Sequence, residues 1–394
     1  MAAKDRQMSR ILWLGNPPWS PSGYGEQAAL FVPRLAGQGH DMAVLCNYGL
    51  QGRETRWGGY TCFPSDGYWG NLNLGVFADH WRADQVIALC DAWVLKPDVW
   101  PEGLEAAVWA PIDHWPIPPL VLAVLQHERI TPVAMSRFGY ELMRTFDLDP
   151  LYVPHGVDTQ LFRPQREIRD AVRDELDIPR DVFLVGMVGA NVGNPSMHRK
   201  GFDKAFLAFN EFARRHQDAW MYVHANATPQ DTGLKLDTLA TVIGCPTGRI
   251  RFPHAQAFQL GIPTQAVAYT YQAFDVLLQP SLGEGFGIPI VEAQASGVPV
   301  IVSDHSAMTE LCGAGWLVDG DPLWDALQES FFISPHVRSI VDALEAAYAA
   351  RGDEELRARA ASFAADYDAD LVADRYWRPA LERLLAAEPE EAVA

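Results

Sequence analysis

The stretch AFDVLLQPSLGEGFGIPIVEAQASGVPVIV, residues 273–302, decides the fold of this chain. The apolar run 274–278 reads as a buried strand, and a glycine-rich loop follows it. Pro289 suits the first turn of a helix, where its missing N–H is no loss. Gly297 closes that helix, and the β-branched run 298–302 makes a second strand. Strand, loop, helix and strand form the unit from which parallel sheets are built. Two carboxylates mark it. Glu284 lies in the loop, and Glu292 follows eight residues later in the first turns of the helix. Gly285, Phe286 and Gly287 present backbone N–H groups just ahead of a helix N-terminus, a place that binds anions such as phosphate. Ionised carboxylates only accept hydrogen bonds, so they suit hydroxyl groups. A diphosphate flanked by sugars, a nucleotide sugar, satisfies both demands.

Two glutamates at this spacing, taken alone, are expected by chance in 394 residues. The full string is more specific. Glu-Gly-Phe-Gly, then Pro, then Glu-Ala, then Gly-x-Pro-Val resembles the signature of family 4 glycosyltransferases, with its two glutamates separated by seven residues. The resemblance implies the GT-B fold: two Rossmann-like, doubly wound α/β domains facing a central cleft. It also implies a retaining transfer of a sugar from a nucleotide-sugar donor to an acceptor hydroxyl. A UDP-, GDP- or ADP-sugar is equally compatible with these residues, and nothing in them names the acceptor.

The rest of the chain fits two domains, since 394 residues exceed one ordinary core. Residues 11–15 read as a first strand, 26–36 as a helix and 42–46 as a second strand, the opening of a nucleotide-type domain. Residues 50–80 are rich in Gly, Trp and Tyr and read as strands and loops. Residues 85–89, 106–110 and 132–135 read as further strands, 121–126 as a helix, and Ser136 as the cap of another helix. The string VPHGVDTQLFRP (153–164) resembles the family's passage between domains, with His155 in a structural or hinge role. Residues 165–181 are charged and read as helical. Runs at 182–188, 220–224, 250–252, 276–279, 298–302 and 315–318 read as the second sheet. The expected division is an acceptor-binding domain over 1–160 and a donor-binding domain over 165–365. A C-terminal helix over about 366–386 crosses back to complete the first domain, and 387–394 is a disordered acidic tail.

Besides Glu284 and Glu292, the string His198-Arg199-Lys200-Gly201-Phe202 resembles the family's Lys-Gly at the start of a helix. Lys200 then offers three donors to the diphosphate. Many members place an arginine just after the preceding strand, where this chain has Asn191. Asn191 brings no charge, so Arg199 is the expected second cation. In the role the family implies, Glu292 accepts from ribose hydroxyls and Glu284 holds the donor sugar. Base recognition is expected from loops near His254 or Thr270. Gly23, Tyr24 and Gly25 lie in a loop that in the family touches phosphate or acceptor. The segment WAPIDHW (109–115) ends a strand where related enzymes often place a histidine near the reacting centre. Either Asp113 or His114 fills that place. Trp57, Tyr60, Tyr68, Trp69 and Trp81 are candidates to stack on a sugar ring or a planar aglycone, or to form core.

Composition excludes several classes. The net charge of −19 opposes non-specific binding to nucleic acid or anionic lipid. No apolar run approaches a membrane span, and the charged N-terminus lacks the apolar core of a signal peptide. The five cysteines are scattered and odd in number, which favours a reducing cytoplasm over a disulfide framework or structural zinc. Asp-x-Asp occurs at Asp147, Asp319 and Asp366, each read as turn or helix rather than as a metal site following a nucleotide-binding strand. No cofactor and no metal are expected, because a helix N-terminus with Lys and Arg serves a leaving diphosphate. Three other activities suit the same fold: a sugar-nucleotide 2-epimerase, a sugar phosphorylase and a non-catalytic nucleotide-sugar binder.

Overall fold

Runs of Val, Ile and Leu alternate with amphipathic helices along the chain, and such runs, buried on both faces, assemble parallel sheets. The structure is a computed structural model that describes residues 8–65, 67, 69–193, 197–229 and 232–386. It divides into two units. Described residues 8–112, 117–156 and 369–386 form the first; Asp113–Pro116 and Val157–Asp368 form the second.

The first unit holds Arg10–Gly15 (β1), Asp41–Cys46 (β2), Thr55–Trp57 (β3), Tyr60–Phe63 (β4), Gln85–Leu89 (β5), Ala106–Ala110 (β6), Ile130–Ala134 (β7) and Leu151–Tyr152 (β8). Their order is β3-β4-β2-β1-β5-β6-β7-β8. All neighbours are parallel except β3 and β4. Helix Gly23–Gly37 starts where Ser22 caps it, its hydroxyl accepting from the Gly25 N–H at 3.2 Å. Ser136 caps Arg137–Arg144 in the same way. Residues 50–80 are not wholly strand and loop: Leu74–Trp81 is a helix, its Leu74 and Ala78 buried in the core. The C-terminal segment supplies Trp377, fully buried, with rings 4.9 Å from Trp109, 6.0 Å from Trp13 and 6.2 Å from Phe31. The Trp109 indole N–H reaches the Val153 carbonyl at 2.7 Å, whereas the indole N–H groups of Trp13 and Trp377 are buried without a hydrogen-bond partner among the described residues.

The second unit holds Phe183–Val188 (β9), Ala219–His224 (β10), Ile250–Arg251 (β11), Val276–Gln279 (β12), Val300–Ser303 (β13) and Gly315–Val318 (β14). Their order is β11-β10-β9-β12-β13-β14, all parallel. Numbered along the chain this is 3-2-1-4-5-6, the Rossmann order. Helix Phe202–Arg215 packs Phe202, Phe206, Phe209 and Phe212 onto it. A further element lies outside the sequence reading: Gly320–Asp325 (β15) and Ser330–Pro335 (β16) form an antiparallel hairpin of their own. Helix Val337–Ala349 follows it. Of residues 165–181, only Arg169–Glu175 is α-helix, after a short 3-10 turn. The acidic tail 387–394 and Tyr68 lie outside the described residues.

Two buried histidines give the fold a pH dependence. His155 packs against Trp109 at 4.4 Å, and His224 ends β10. Burial pushes His155 down to about 3 and His224 down to about 4. Both are neutral in the native state at pH 5, where the unfolded chain is mostly protonated at each. Stability is therefore complete above about pH 6.5 and is lost as pH falls towards the folded values, by up to ~1.4 kcal/mol per pH unit per histidine. His155→Asn is expected to reduce the drop in urea stability between pH 7 and pH 5 by about 2 kcal/mol. An unchanged drop refutes the assignment to His155.

Candidate functional site

In a doubly wound sheet, ligands bind beyond the carboxyl ends of the strands where the order reverses. In the second unit that point lies between β9 and β12. The loop after β9 ends in Arg199, Lys200 and Gly201, and the loop after β12 carries Ser281 and Glu284. Gly201 joins them. Its φ is +66°, and a Cβ there would lie 2.1 Å from the Pro280 carbonyl oxygen, so only glycine allows this approach.

Glu284 is the centre of the site. One of its carboxylate oxygens accepts from Lys200 Nζ at 2.6 Å and from Ser281 Oγ at 2.7 Å. The other accepts from Arg199 Nη1 at 2.6 Å. Arg199 also donates to the Gly283 carbonyl at 2.7 Å, and the Glu284 N–H donates to Ser306 Oγ at 3.0 Å. Burial pushes the carboxyl up, but Arg199 and Lys200 outweigh burial and hold it at about 2. Burial pushes the Lys200 ammonium down, with Glu284 pulling it back. The carboxylate thus carries full charge in a nearly closed setting because two cations compensate it.

Asp113 and His114 both belong to this cluster. Asp113 Oδ1 meets His114 Nδ1 at 2.7 Å, and Asp113 Oδ2 lies 3.8 Å from Arg199 Nη1. Burial raises the Asp113 carboxyl, yet the hydrogen bond to His114 and the charges of His114 and Arg199 hold it below the usual carboxylate range. His114 Nε2 lies 3.5 Å from Asp325 Oδ2, and the ring lies on Phe332 with centroids 3.6 Å apart. Gly283 backs directly onto the Asp113 carbonyl, where a Cβ would come within 2.1 Å. The hairpin therefore clamps His114 from one side and Asp113 orients it from the other.

Glu292 sits in helix Ile288–Ala295, buried, and accepts from the Tyr271 hydroxyl at 2.8 Å. Gly287 caps that helix at φ 111°, followed by Pro289 in its first turn. The N–H groups of Gly285 and Gly287 make no hydrogen bond among the described residues. Phe286 is buried with its ring 5.7 Å from Tyr367. Asn191 is differently engaged. Its amide donates to the carbonyls of Asn226 and Leu234, both at 2.7 Å, and accepts from the Leu234 N–H at 2.9 Å. It braces a neighbouring loop, and its polar atoms face backbone rather than ligand. Thr270 donates back to Ala266 within its own helix. Gly23, Tyr24 and Gly25 form the first turn of a helix in the first unit, with the Tyr24 hydroxyl 3.3 Å from Asp91.

Sequence reading missed Ser281, His305, Ser306, Tyr271, Asp325 and Phe332. Burial pushes the His305 imidazole down, while the charge of Asp113 and a hydrogen bond with its backbone pull it back up. Ser281 was within reach of the sequence, three residues before Glu284 in the same loop. Asp325 and Phe332 come from the hairpin and carry no local signal. The aromatic set divides: Trp57 and Tyr60 lie 6.3 Å apart on β3 and β4, Trp81 packs on Phe63, and Trp69 is exposed. Among the described residues no group of His, Cys, Asp or Glu is placed to hold a metal ion, and no helix is long and apolar enough to cross a membrane.

Residues 185–331 match the family model described as Glycosyl transferases group 1. A D-inositol 3-phosphate glycosyltransferase of Corynebacterium kroppenstedtii is 29% identical over 191 residues, which cover 45% of this chain. The chain spans 39% of the length of that relative. Among solved structures, sucrose-phosphate synthase from Thermosynechococcus elongatus superposes with a TM-score of 0.75 at 14% identity, covering 97% of this chain and all (100%) of that one. The structure described as trehalose-6-phosphate from E. coli bound with UDP-2-fluoro glucose gives 0.68 at 13% identity, with coverage of 97% and 100%. At such identities the likeness is one of fold, and with two parallel α/β units this chain has the GT-B fold.

Proposed function

We propose that this chain is a family 4 retaining glycosyltransferase that moves a sugar from a nucleotide-sugar donor to an acceptor hydroxyl without a bound metal. The observation that carries the reading is the buried Glu284 carboxylate, held by Lys200 and Arg199 at the reversal point of a Rossmann-ordered sheet. An arriving diphosphate takes over the donors of Lys200 and Arg199 and meets the N–H groups of Gly285 and Gly287. Glu284, released from part of this pairing, accepts from hydroxyls of the donor sugar. Glu292, with one oxygen on Tyr271, accepts from the ribose. His114, held by Asp113 at Nδ1, lies beside the same cluster, and its Nε2 exchanges Asp325, 3.5 Å away, for a hydroxyl of the donor sugar.

In the proposed step the bond from the anomeric carbon to the diphosphate oxygen breaks, and a bond to the acceptor oxygen forms on the same face. The acceptor proton passes to the departing phosphate oxygen, so no strong protein base is needed. Lys200, Arg199 and the helix N-terminus stabilise the charge that develops there. A reducing cytoplasm suits the five free cysteines.

The test begins with calorimetry of UDP, GDP and ADP. Glu292→Ala is expected to weaken the preferred nucleotide by roughly 1.5–3 kcal/mol, the worth of a charged hydrogen bond. Unchanged affinity would sink the ribose assignment. With that donor and EDTA present, NMR coupling at the new anomeric centre is expected to show the donor's own configuration. Inversion, or restoration of activity by manganese, overturns the mechanism. Consumption of the donor to a 2-epimer without acceptor would instead select the epimerase.

A further inference from the structure

A cavity of about 220 Å³ opens in the second unit just ahead of β12 and β13, between Gln272 and Val298. Lys200 and Glu284 lie beyond the carboxyl ends of the same sheet, so the length of β12, Val276–Gln279, sets the two places about 10 Å apart. Arg166, Arg169 and Arg357 line the cavity, in a chain of net charge −19. Arg169 Nη1 covers the carbonyls of Gln272, Ala273 and Phe274 at 3.2–3.4 Å, and its Nη2 meets Asp275 at 2.8 Å. Arg357 donates to the Gly297 carbonyl at 3.1 Å. Arg166 pairs with Glu354, both of them exposed. The Nε–H of each of these three arginines makes no hydrogen bond among the described residues. Arg173 shares Asp275 with Arg169 and Arg357, so in these pairs four guanidinium groups meet only two carboxylates. Burial pushes Arg357 down to about 10, with Asp275 pulling it back and the charges of Arg169 and Arg166 pushing it further down. The cluster is short of negative charge.

Two further features point to an anion. Ser296 lines the cavity and is 3% exposed, and its hydroxyl makes no hydrogen bond among the described residues. Buried hydroxyls are ordinarily paired, so this donor lacks its acceptor. Helix Glu354–Ala364 turns the face formed by Glu354, Arg357 and Ala358 to the same cavity, and its N-terminus adds about half a positive charge. The helices ending at Gln272 and Ala295 bring the opposite partial charge, but Arg169 and Arg357 already cover carbonyls at their ends. We propose that this cavity binds a phosphate dianion, inorganic or carried as a monoester on a small molecule. The phosphate oxygens accept from Ser296 and from the arginine N–H groups that the chain leaves unused. Arg166 exchanges Glu354 for the ligand, and an exposed ion pair is given up at little cost. The volume falls below the ~300–1,000 Å³ of pockets for drug-sized molecules, which suits a small ion. None of this binding depends on the transferase reading.

The test is titration calorimetry of inorganic phosphate, glucose 6-phosphate and acetate into the whole chain at low salt. Phosphate is expected to bind with a dissociation constant below about 1 mM, and acetate, a monoanion, at least about tenfold more weakly. Ser296→Ala removes a hydroxyl that bonds to nothing in the chain, so it is expected to fold as wild type and to weaken phosphate about tenfold. Arg166→Ala breaks only an exposed pair and is expected to weaken phosphate about fivefold. Glu354→Gln removes the chain's own competitor for Arg166 and is expected to tighten phosphate about threefold. A phosphate ion also suits Lys200, so the variant carrying both Lys200→Met and Glu284→Gln is the control, and it is expected to keep this binding within about twofold of wild type. Glucose 6-phosphate bound as tightly as phosphate identifies a monoester as the ligand, whereas exclusion of it identifies the inorganic ion. The proposal is overturned if phosphate shows no saturable binding, or if neither Ser296→Ala nor Arg166→Ala weakens it. It is also overturned if Glu354→Gln binds phosphate more weakly than wild type, or if the Lys200 and Glu284 control abolishes the binding. Phosphate binding that persists while no nucleotide sugar supports transfer leaves this site standing and removes the transferase reading.

Discussion

Lys200→Met is expected to abolish nearly all transfer and to destabilise the fold at the same time, and the two effects have separable causes. In the proposed reaction the ammonium stabilises the leaving diphosphate, and loss of one such donor typically costs 10²–10³-fold in turnover. In folding the same ammonium neutralises Glu284 at 2.6 Å in a buried setting. Removing one member of a buried pair costs on the order of 3 kcal/mol, because the other charge stays behind. Glu284→Gln reverses the imbalance, leaving Arg199 and Lys200 without their acceptor charge. The double variant removes both charges and is expected to recover most of the lost stability while remaining inactive. Arg199→Ala, whose guanidinium is more exposed and also held by the Gly283 carbonyl, is expected to lose about tenfold in rate. Thermal unfolding and steady-state kinetics on the single and double variants decide the matter. Lys200→Met with activity within tenfold of wild type overturns the leaving-group role, and a double variant as unstable as the sum of the singles overturns the charge coupling.

The parts of this site that were legible in the sequence are those with local signatures. The strand–loop–helix–strand unit around Glu284 and Glu292 needs only an apolar run, glycines and a proline in order, and β12, β13 and helix Ile288–Ala295 lie where that pattern puts them. The Lys200–Gly201 turn is likewise local. Asn191 shows the opposite. Its place after β9 marks it for a ligand, but its amide closes on Asn226 and Leu234, residues 35 and 43 positions away. The hairpin was hidden because its apolar residues are consecutive, at 322–324 and 331–333, and so fall on both of its faces. One covers His114 and Gly283 and the other bears Trp115, Phe331 and Trp324, so no alternation of polar and apolar residues announces two strands. Helix Leu74–Trp81 is similarly masked by the Gly, Trp and Tyr around it.

Arg173 carries this lesson into the core. It lies within the charged run 165–181, read only as helical, yet it is 0% exposed. Its guanidinium donates to the carbonyls of Ala273, Arg180 and Val182 and to Asp275 Oδ2 at 2.9 Å. Asp275 also accepts from Arg169 at 2.8 Å and from the Leu184 N–H at 2.8 Å, with Arg357 3.6 Å away. Burial pushes the Arg173 guanidinium down to about 10, with Asp275 holding it up against that loss. One carboxylate thus serves three guanidinium groups and ties helix Arg169–Glu175 and β9 to the start of β12. Asp275→Ala leaves those cations uncompensated and orphans a strand N–H. The expected loss is on the order of 3–5 kcal/mol, enough to bring a protein of ordinary stability near its unfolding threshold. Asp275→Asn retains an acceptor for Leu184 and is expected to lose less. Arg173→Met, which leaves Asp275 paired with Arg169 and Arg357, is expected to lose less still. Leu184 and Asp275 lie at the amino ends of β9 and β12, whereas Lys200 and Glu284 lie beyond the carboxyl ends. The folded fraction of Asp275→Ala should therefore bind nucleotide with an affinity within about twofold of wild type, as calorimetry at low temperature can read. A loss under about 1 kcal/mol in urea unfolding refutes the network as a fold determinant. Weakened nucleotide binding by the folded fraction refutes its separation from the site.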